Sequence, residues 1–430
     1  MKWLRHTLGS TLVMILFPVA VYAVWFTAQY LDGSFSLLFN VIQKHGFTYI
    51  LAQIPPKVFT GTTTSWTIAL SFIVFEIFLY LIVPGKIISG PKTKSGFIPK
   101  YKENGVACYA ITLATFVLCS FVFNLFSPTI LFDHLGELVG TMFWLGILFC
   151  LFLYFKGLIK PSAGEFRVSG NFIFDFFWGI ELYPTLFNLN VKHIINCRVA
   201  MMSWPLMIIS FAAKQDAFFG LANSMLVSVA LQMIYITKFF IWEKGYLRSM
   251  DIAHDHFGFY ICWGVLVWVP FFYTSPILYL VHHPYQLSNT VVISIFVLGC
   301  VSILINYLAD QQRVIFREKN GEIRIWGKKP KFTVAKYTTQ DGNKNENLLL
   351  ASGYWGVARH FHYIPEILSA FLWSVPATFV HFYPYFYVVY LIILLLDRAN
   401  RDDLRCKAKY GEAWEHHCKK VPYKIFPYIY

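Results

Sequence analysis

Charged side chains make up only 14% of the 430 residues, where an ordinary soluble domain carries roughly a quarter. With 57% hydrophobic and 19% aromatic residues beside that shortage, the chain is not a water-soluble globule, a coiled coil, a collagen or a disordered segment. Cysteine is sparse as well. Of the eight cysteines, Cys108, Cys119, Cys150, Cys262 and Cys300 lie inside apolar runs, where a thiol behaves as a small hydrophobe, and no paired spacing marks a disulfide framework. Also missing are a G-x-G-x-x-G that opens a helix after a strand, a P-loop, an H-E-x-x-H and a Cys-x-x-Cys. Their absence removes Rossmann, P-loop and the common zinc chemistries. Asp251, His254, Asp255 and His256 are the one group with metal-like spacing, and they read as a loop anchor, so no metal is expected.

What is abundant is long apolar sequence, spread widely enough to give the whole chain a mean hydropathy of +0.53. Runs near the roughly 20 residues that cross a bilayer occupy 11–28, 65–84, 107–126, 138–157, 199–213, 218–240, 257–281 and 291–308, with two more between 348 and 396. This pattern predicts an all-α integral membrane protein with about ten transmembrane helices and a cytosolic-facing C-terminal lobe. We divide it into an N-terminal transmembrane region, 1–256, and a C-terminal lobe, 257–430. Lys2 and Arg5 precede the first run as in a signal peptide, but no small-residue cleavage site follows, so that segment is expected to be retained.

The 36 basic and 23 acidic residues give a net charge of +13, and their placement gives the orientation. Short loops rich in Lys and Arg stay on the cytoplasmic side. A cytoplasmic N-terminus puts Lys86, Lys92, Lys94, Lys100 and Lys102 inside, followed by Lys156 and Lys160 and then Lys238, Lys244 and Arg248, while Asp133, Glu137 and the His282-His283-Pro284 turn fall outside. The longest polar insert, 311–347, holds nine basic and four acidic residues and belongs on the same inner side. Its Asn320-Gly321 pair, with Ile323 and Ile325 alternating behind it, predicts a small hairpin.

Three constellations near the C-terminus could carry chemistry. Asp310, Arg313 and Arg317 share one helical face at the end of the eighth run, and two guanidiniums a turn apart make a fork for phosphate; the same pair would serve as a positive-inside anchor. Ser352 to Tyr363 packs Trp355, Arg359, His360, His362 and Tyr363 between apolar runs, as a ligand contact or as an interfacial aromatic belt. Glu366 follows, an acid near the membrane boundary that is free to titrate or to pair with Arg359. Arg398, Asp402, Cys406 and Lys409 then form a stripe at steps of three and four with Tyr410 beside it, which also describes a solvated amphipathic helix. Together they outline a basic, aromatic mouth beside an apolar interior, suited to a phosphate-bearing cofactor and a lipid-like substrate.

The segments FFWGIELYP (176–184), NCRVAMMSW (196–204), MDIAHDHFGFYICWGVLVW (250–268) and SGYWGVARHFHYIPEILSAFL (352–372), with 398–410 and Val421-Pro422-Tyr423, resemble the membrane sterol reductase family. That family includes the sterol Δ7, Δ14 and C24 double-bond reductases and the sterol reductase domain of the lamin B receptor. Within it the chain is most similar to the Δ7-reducing branch of the plant type. The resemblance implies a ten-span fold, NADPH as cofactor, a sterol drawn from the bilayer as substrate, and residence in the endoplasmic reticulum membrane, or the inner membrane if bacterial. Carried over by position, the implied cofactor contacts are Arg313, Arg317, Leu350, Trp355, His362, Tyr363, Asp402, Cys406, Lys407, Lys409, Tyr410 and His417, and the stripes add Arg359 and Arg398. Arg313 stands where relatives often have Lys. His362-Tyr363 stands for the usual Asn-Tyr, and Pro365-Glu366 for Gly-Asp.

An isolated C=C accepts hydride poorly, but a 5,7-diene protonated at C8 leaves an allylic cation that hydride can quench at C7. The implied activity is therefore NADPH-dependent reduction of the C7–C8 bond in sterol biosynthesis. Asp402, Glu366 and Tyr363 are the candidates for the proton route, and aromatic walls shelter the cation. Alternatives are a C14 or C24 sterol reductase, a membrane methyltransferase of the isoprenylcysteine type, and a sterol-binding protein without turnover.

Overall fold

The computed structural model describes residues 2–93, 95–338, 342 and 344–430, and 67% of the chain is helical. Eight helices among the described residues are long and apolar enough to cross a membrane: α1 (His6–Tyr30), α2 (Pro56–Ile82), α3 (Gly105–Val122), α4 (Leu135–Ile159), α5 (Val191–Phe219), α6 (Asn223–Ile241), α7 (Cys262–Leu280) and α8 (Asn289–Glu318). Helices dominate because in lipid every backbone N–H and C=O must be paired inside its own segment. The two further runs expected from hydropathy form α9 (Tyr363–Ser374) and the apolar first half of α10 (Phe386–Tyr410). A short α11 (Glu412–Lys420) follows.

The chain folds as two compact units. The larger comprises Met1–Thr93, Phe97–Ser288 and Ser374–Phe386, and the smaller includes Asn289–Trp373 and Tyr387–Tyr430. Small residues let helices of the larger unit approach closely, as at Gly140 of α4, where a Cβ would come 2.3 Å from the Val58 carbonyl oxygen of α2. Ser65 and Thr141 add a buried hydroxyl pair at 2.7 Å between the same helices.

Arg198, wholly buried in α5 within a π-helical stretch, is the most consequential polar group of this unit. Its Nη1 and Nη2 donate to Glu243 Oε1 (2.5 Å) and Oε2 (3.1 Å), and Nη2 also donates to Asn104 Oδ1 (3.0 Å). His193 Nε2 lies 2.9 Å from the same carboxylate. Asn104 in turn donates to the carbonyls of Tyr80 and Val83, so one ion pair ties α2, α3 and α5 to the turn after α6. The loop around Asp251 to His256 is anchored similarly: Lys192 Nζ donates to the Ile252 carbonyl (2.8 Å) and to that of Asp255.

In the smaller unit, α8 ends at Glu318 and the chain reverses at Asn320 and Gly321, both at positive φ (50° and 84°). The Gly321 N–H donates to the Phe316 carbonyl, so the Asn-Gly pair caps the helix and does not turn a hairpin, which corrects the expectation above. A left-handed residue after the last helical turn satisfies an orphan carbonyl, and this use of Asn-Gly competes with the two-residue strand turn. The hairpin itself lies further on. Two short strands in the larger unit, β1 (Lys86–Ser89) and β2 (Lys100–Glu103), pair with each other, and in the smaller unit β3 (Phe332–Thr338) pairs antiparallel with β4 (Lys344–Leu350), Phe332 opposite Leu350.

Candidate functional site

The three constellations, 42 or more residues apart in places, meet in the smaller unit. Leu350 and Trp355 are buried with Phe316 and Ile325, and the Trp355 indole N–H donates to the Ala309 carbonyl of α8 (2.7 Å). That bond fixes the ring so that the Arg313 guanidinium lies 3.9 Å from its centroid, a cation–π stack. Arg313 Nη2 also donates to Asp310 Oδ1, at 3.3 Å. His362 packs against Trp355 and Tyr363, with ring centroids 5.0 and 4.3 Å apart.

From the other side, α10 presents Asp402, whose Oδ1 accepts from Arg405 Nε (3.1 Å) and Nη2. The same carboxylate lies 3.8 Å from His360 Nε2 and 3.8 Å from Cys406 Sγ. His360 stacks on Tyr363 at 5.2 Å with an 11° interplanar angle. Tyr410 accepts from Asn347 Nδ2 of β4 (2.9 Å) and stands edge-on to Tyr337 of β3, whose ring Lys409 covers at 4.0 Å. Arg317, exposed on α8, acts electrostatically on the Tyr410 hydroxyl. Arg398 lies one turn before Asp402 on α10, and Glu366 one turn into α9.

Some expected contacts point elsewhere. Arg359 gives Nη1 to the carbonyls of Val421 and Pro422 (2.6 and 2.8 Å), and its backbone N–H donates to Tyr423. It docks the C-terminal tail and makes no pair with Glu366. Lys407 faces solvent against Glu415 (3.1 Å), and buried His417 packs on Trp414 at 5.4 Å. His360 was part of the second constellation, whereas sequence reasoning passed over Arg405 and Asn347. An Arg three residues after an Asp on one helix was the readable signal for Arg405; nothing in the spacing announced Asn347.

Charge is finely balanced here. Burial pushes His360 down to about 4, opposed by the Asp402 carboxylate and reinforced by the charges of Arg313 and Arg359. Burial likewise lowers His417 to about 4. Burial would raise Asp402, but Arg405, His360 and Arg313 outweigh it and hold the carboxyl below its usual range. Both histidines are thus neutral near neutrality. A histidine whose folded pKa lies below its ordinary 6.5 lets the unfolded chain bind the proton first, so its contribution is full above 6.5 and drains away as pH falls to about 4. Thermal unfolding of the solubilised protein will show Tm falling across that window, and His360→Gln will flatten the slope.

The fold and this cluster define a polytopic helical membrane protein with a cationic, aromatic-walled site on the segments around its last long helices. The chain belongs to the ergosterol biosynthesis ERG4/ERG24 family, whose profile matches residues 4–430. It is 46% identical over 427 residues to a 7-dehydrocholesterol reductase of Arabidopsis thaliana, covering 99% of this chain and 98% of the relative. A 7-dehydrocholesterol reductase of Xenopus laevis is 34% identical over 439 residues (99% and 92%). A Delta(14)-sterol reductase of Methylotuvimicrobium alcaliphilum is 35% identical over 419 residues (97% and 94%).

Proposed function

We propose that this chain reduces the C7–C8 double bond of 5,7-diene sterols with NADPH, in the endoplasmic reticulum membrane of a eukaryote or the inner membrane of a bacterium. The 46% identity to a 7-dehydrocholesterol reductase across nearly both full lengths carries the choice of reaction. The donor set suits the cofactor: Arg313 and Arg405 act on Asp402, Arg405 and Lys409 on Cys406, and Arg317 and Arg405 on Tyr410, and guanidiniums suit phosphate. Leu350 and Trp355 share one buried cluster, with His362 against Trp355, and Tyr410 packs on a second one that contains Cys406 and Trp414, the ring on which His417 lies. When bound, NADPH supplies the hydride that C7 receives.

The chain's own work is to hold that cofactor, exclude water and deliver a proton to C8. Asp402, ionised and engaged by Arg405, is the least suited of the three acids to give up a proton, because its charged form is the one its neighbours favour. It fits better as the anchor of Arg405 and the partner of His360. Tyr363, stacked on His360, and Glu366 remain for the proton route. Asp402→Asn should therefore weaken cofactor binding more than it slows the proton step, seen as a rise in KM for NADPH larger than the fall in kcat.

Gly353 sets up the wall. Its backbone (φ 62°, ψ −139°) is one that side chains strain against, and a Cβ would fall 2.2 Å from Gln312 Oε1, the acceptor of the Tyr354 N–H. Gly353→Ala should cost about 1–3 kcal/mol locally and loosen Trp355, raising KM for NADPH while the helical circular dichroism stays unchanged. The function itself is tested by product analysis over Δ7, Δ14 and Δ24 sterols with purified protein: saturation at C7 alone supports it, and saturation at C14 or C24 alone overturns the choice of bond.

A further inference from the structure

Beyond α8 the chain exposes a turn that the cofactor site does not use. Ile325 and Lys328 exchange backbone hydrogen bonds (2.9 and 3.1 Å), and the two residues between them, Trp326 and Gly327, sit at positive φ (48° and 77°). That is a rigid two-residue tip of the primed type. Trp326 pays for a strained backbone yet is left 63% exposed, an arrangement that packing alone does not explain. Around it Arg324, Lys328, Lys329 and Lys331 are exposed, none in an ion pair among the described residues, with Glu322 the one acid between Gly321 and Lys331.

The depth of the tip follows from its contacts. After the reversal at Gly321 the chain runs back along α8: Ile325 packs with Phe316 and Trp355, and Trp326 meets Tyr354 edge-on at 5.1 Å. Tyr354 N–H is bonded to Gln312, and Trp355 to the carbonyl of Ala309. Gln312 is four residues past Leu308, where the apolar run ends, hence about 6 Å beyond the hydrocarbon at 1.5 Å per residue. The headgroup layer occupies that depth.

We propose that this turn binds anionic lipid headgroups of the leaflet that the basic loops face, Trp326 seating its ring at the interface and Arg324, Lys328, Lys329 and Lys331 meeting phosphate and carboxylate groups. Indole rings favour the interface because one end is apolar and the other wet, and basic clusters just past a membrane helix attract acidic lipid. Because Trp326 touches Tyr354, the neighbour of Trp355, bound lipid braces the cofactor wall from outside. The lipid site itself stands whether or not the sterol reading holds.

The test places wild type and the Arg324→Gln/Lys328→Gln/Lys329→Gln/Lys331→Gln variant in phosphatidylcholine nanodiscs doped with dansyl-phosphatidylserine or, in a parallel set, dansyl-phosphatidylcholine. Energy transfer from protein tryptophan to the serine lipid should exceed transfer to the choline lipid by about twofold or more for wild type at low salt. The excess should shrink to near parity in the variant and in high salt, and Trp326→Ser, which keeps the charges, should lower it in part. An excess unchanged in the variant overturns the proposal. So does an intact excess accompanied by lost NADPH affinity, which would place the turn in the cofactor site.

Discussion

Arg313→Ala will raise KM for NADPH by about 10- to 150-fold, the equivalent of the roughly 1.5–3 kcal/mol of one charge-assisted contact, with kcat much less affected. The guanidinium stacked 3.9 Å from the Trp355 centroid meets the Asp310 carboxylate at a long 3.3 Å, so its other N–H groups can engage a phosphate and its loss is felt mainly in binding. Arg313→Lys keeps the charge and gives up the planar stack, and its KM should fall between the two. Steady-state kinetics at saturating sterol decide the matter, and an unchanged KM in the alanine variant would remove Arg313 from the cofactor site.

The largest loss of stability will follow Glu243→Ala. That change leaves Arg198 charged, wholly buried and without its bidentate partner, a situation that costs about 3–5 kcal/mol. Thermal unfolding in detergent should show the loss directly. The double change Arg198→Met/Glu243→Leu should be milder than Glu243→Ala, since removing both charges removes the stranded one. The carboxyl also brings a pH signature. Burial would raise it, but His193 and Arg198 together hold it down to about 2. A depressed acid stabilises fully above its ordinary 4.5 and loses that contribution as pH falls toward 2, so the loss of stability across that range should be steeper in wild type than in Glu243→Ala, which keeps only the contribution of Asp402 and the other depressed groups.

How much of this could be read in advance depends on the range of the interaction. Hydropathy located α1 to α8 because the bilayer imposes a length on each helix, a constraint local to the sequence. Helical spacing also placed Arg313 near Arg317 and Asp402 near Cys406, within single helices. Residues that meet across long gaps left no such trace. Arg313 and Trp355 join through the Ala309 carbonyl, and Arg198 finds Glu243 45 positions away. Arg198 stands one residue before the apolar run expected at 199–213, and only packing reveals that it is a tie between helices. The Asn320-Gly321 pair was misjudged because helix caps and strand turns both want a left-handed residue, and the preceding 30-residue helix had first claim on it. Arg359 was drawn to the ligand list by its aromatic neighbours, whereas its guanidinium is spent on the carbonyls of a tail 62 residues on.

Transfer of isotope tests the central claim most directly. Purified protein given 7-dehydrocholesterol and NADPH deuterated at the transferable hydrogen should yield cholesterol with one deuterium, at C7, and the same reaction with unlabelled NADPH in heavy water should place the label at C8. Cofactor deuterium at C8 with the solvent label at C7, or protein that binds NADPH yet transfers no deuterium to the sterol, would contradict the account.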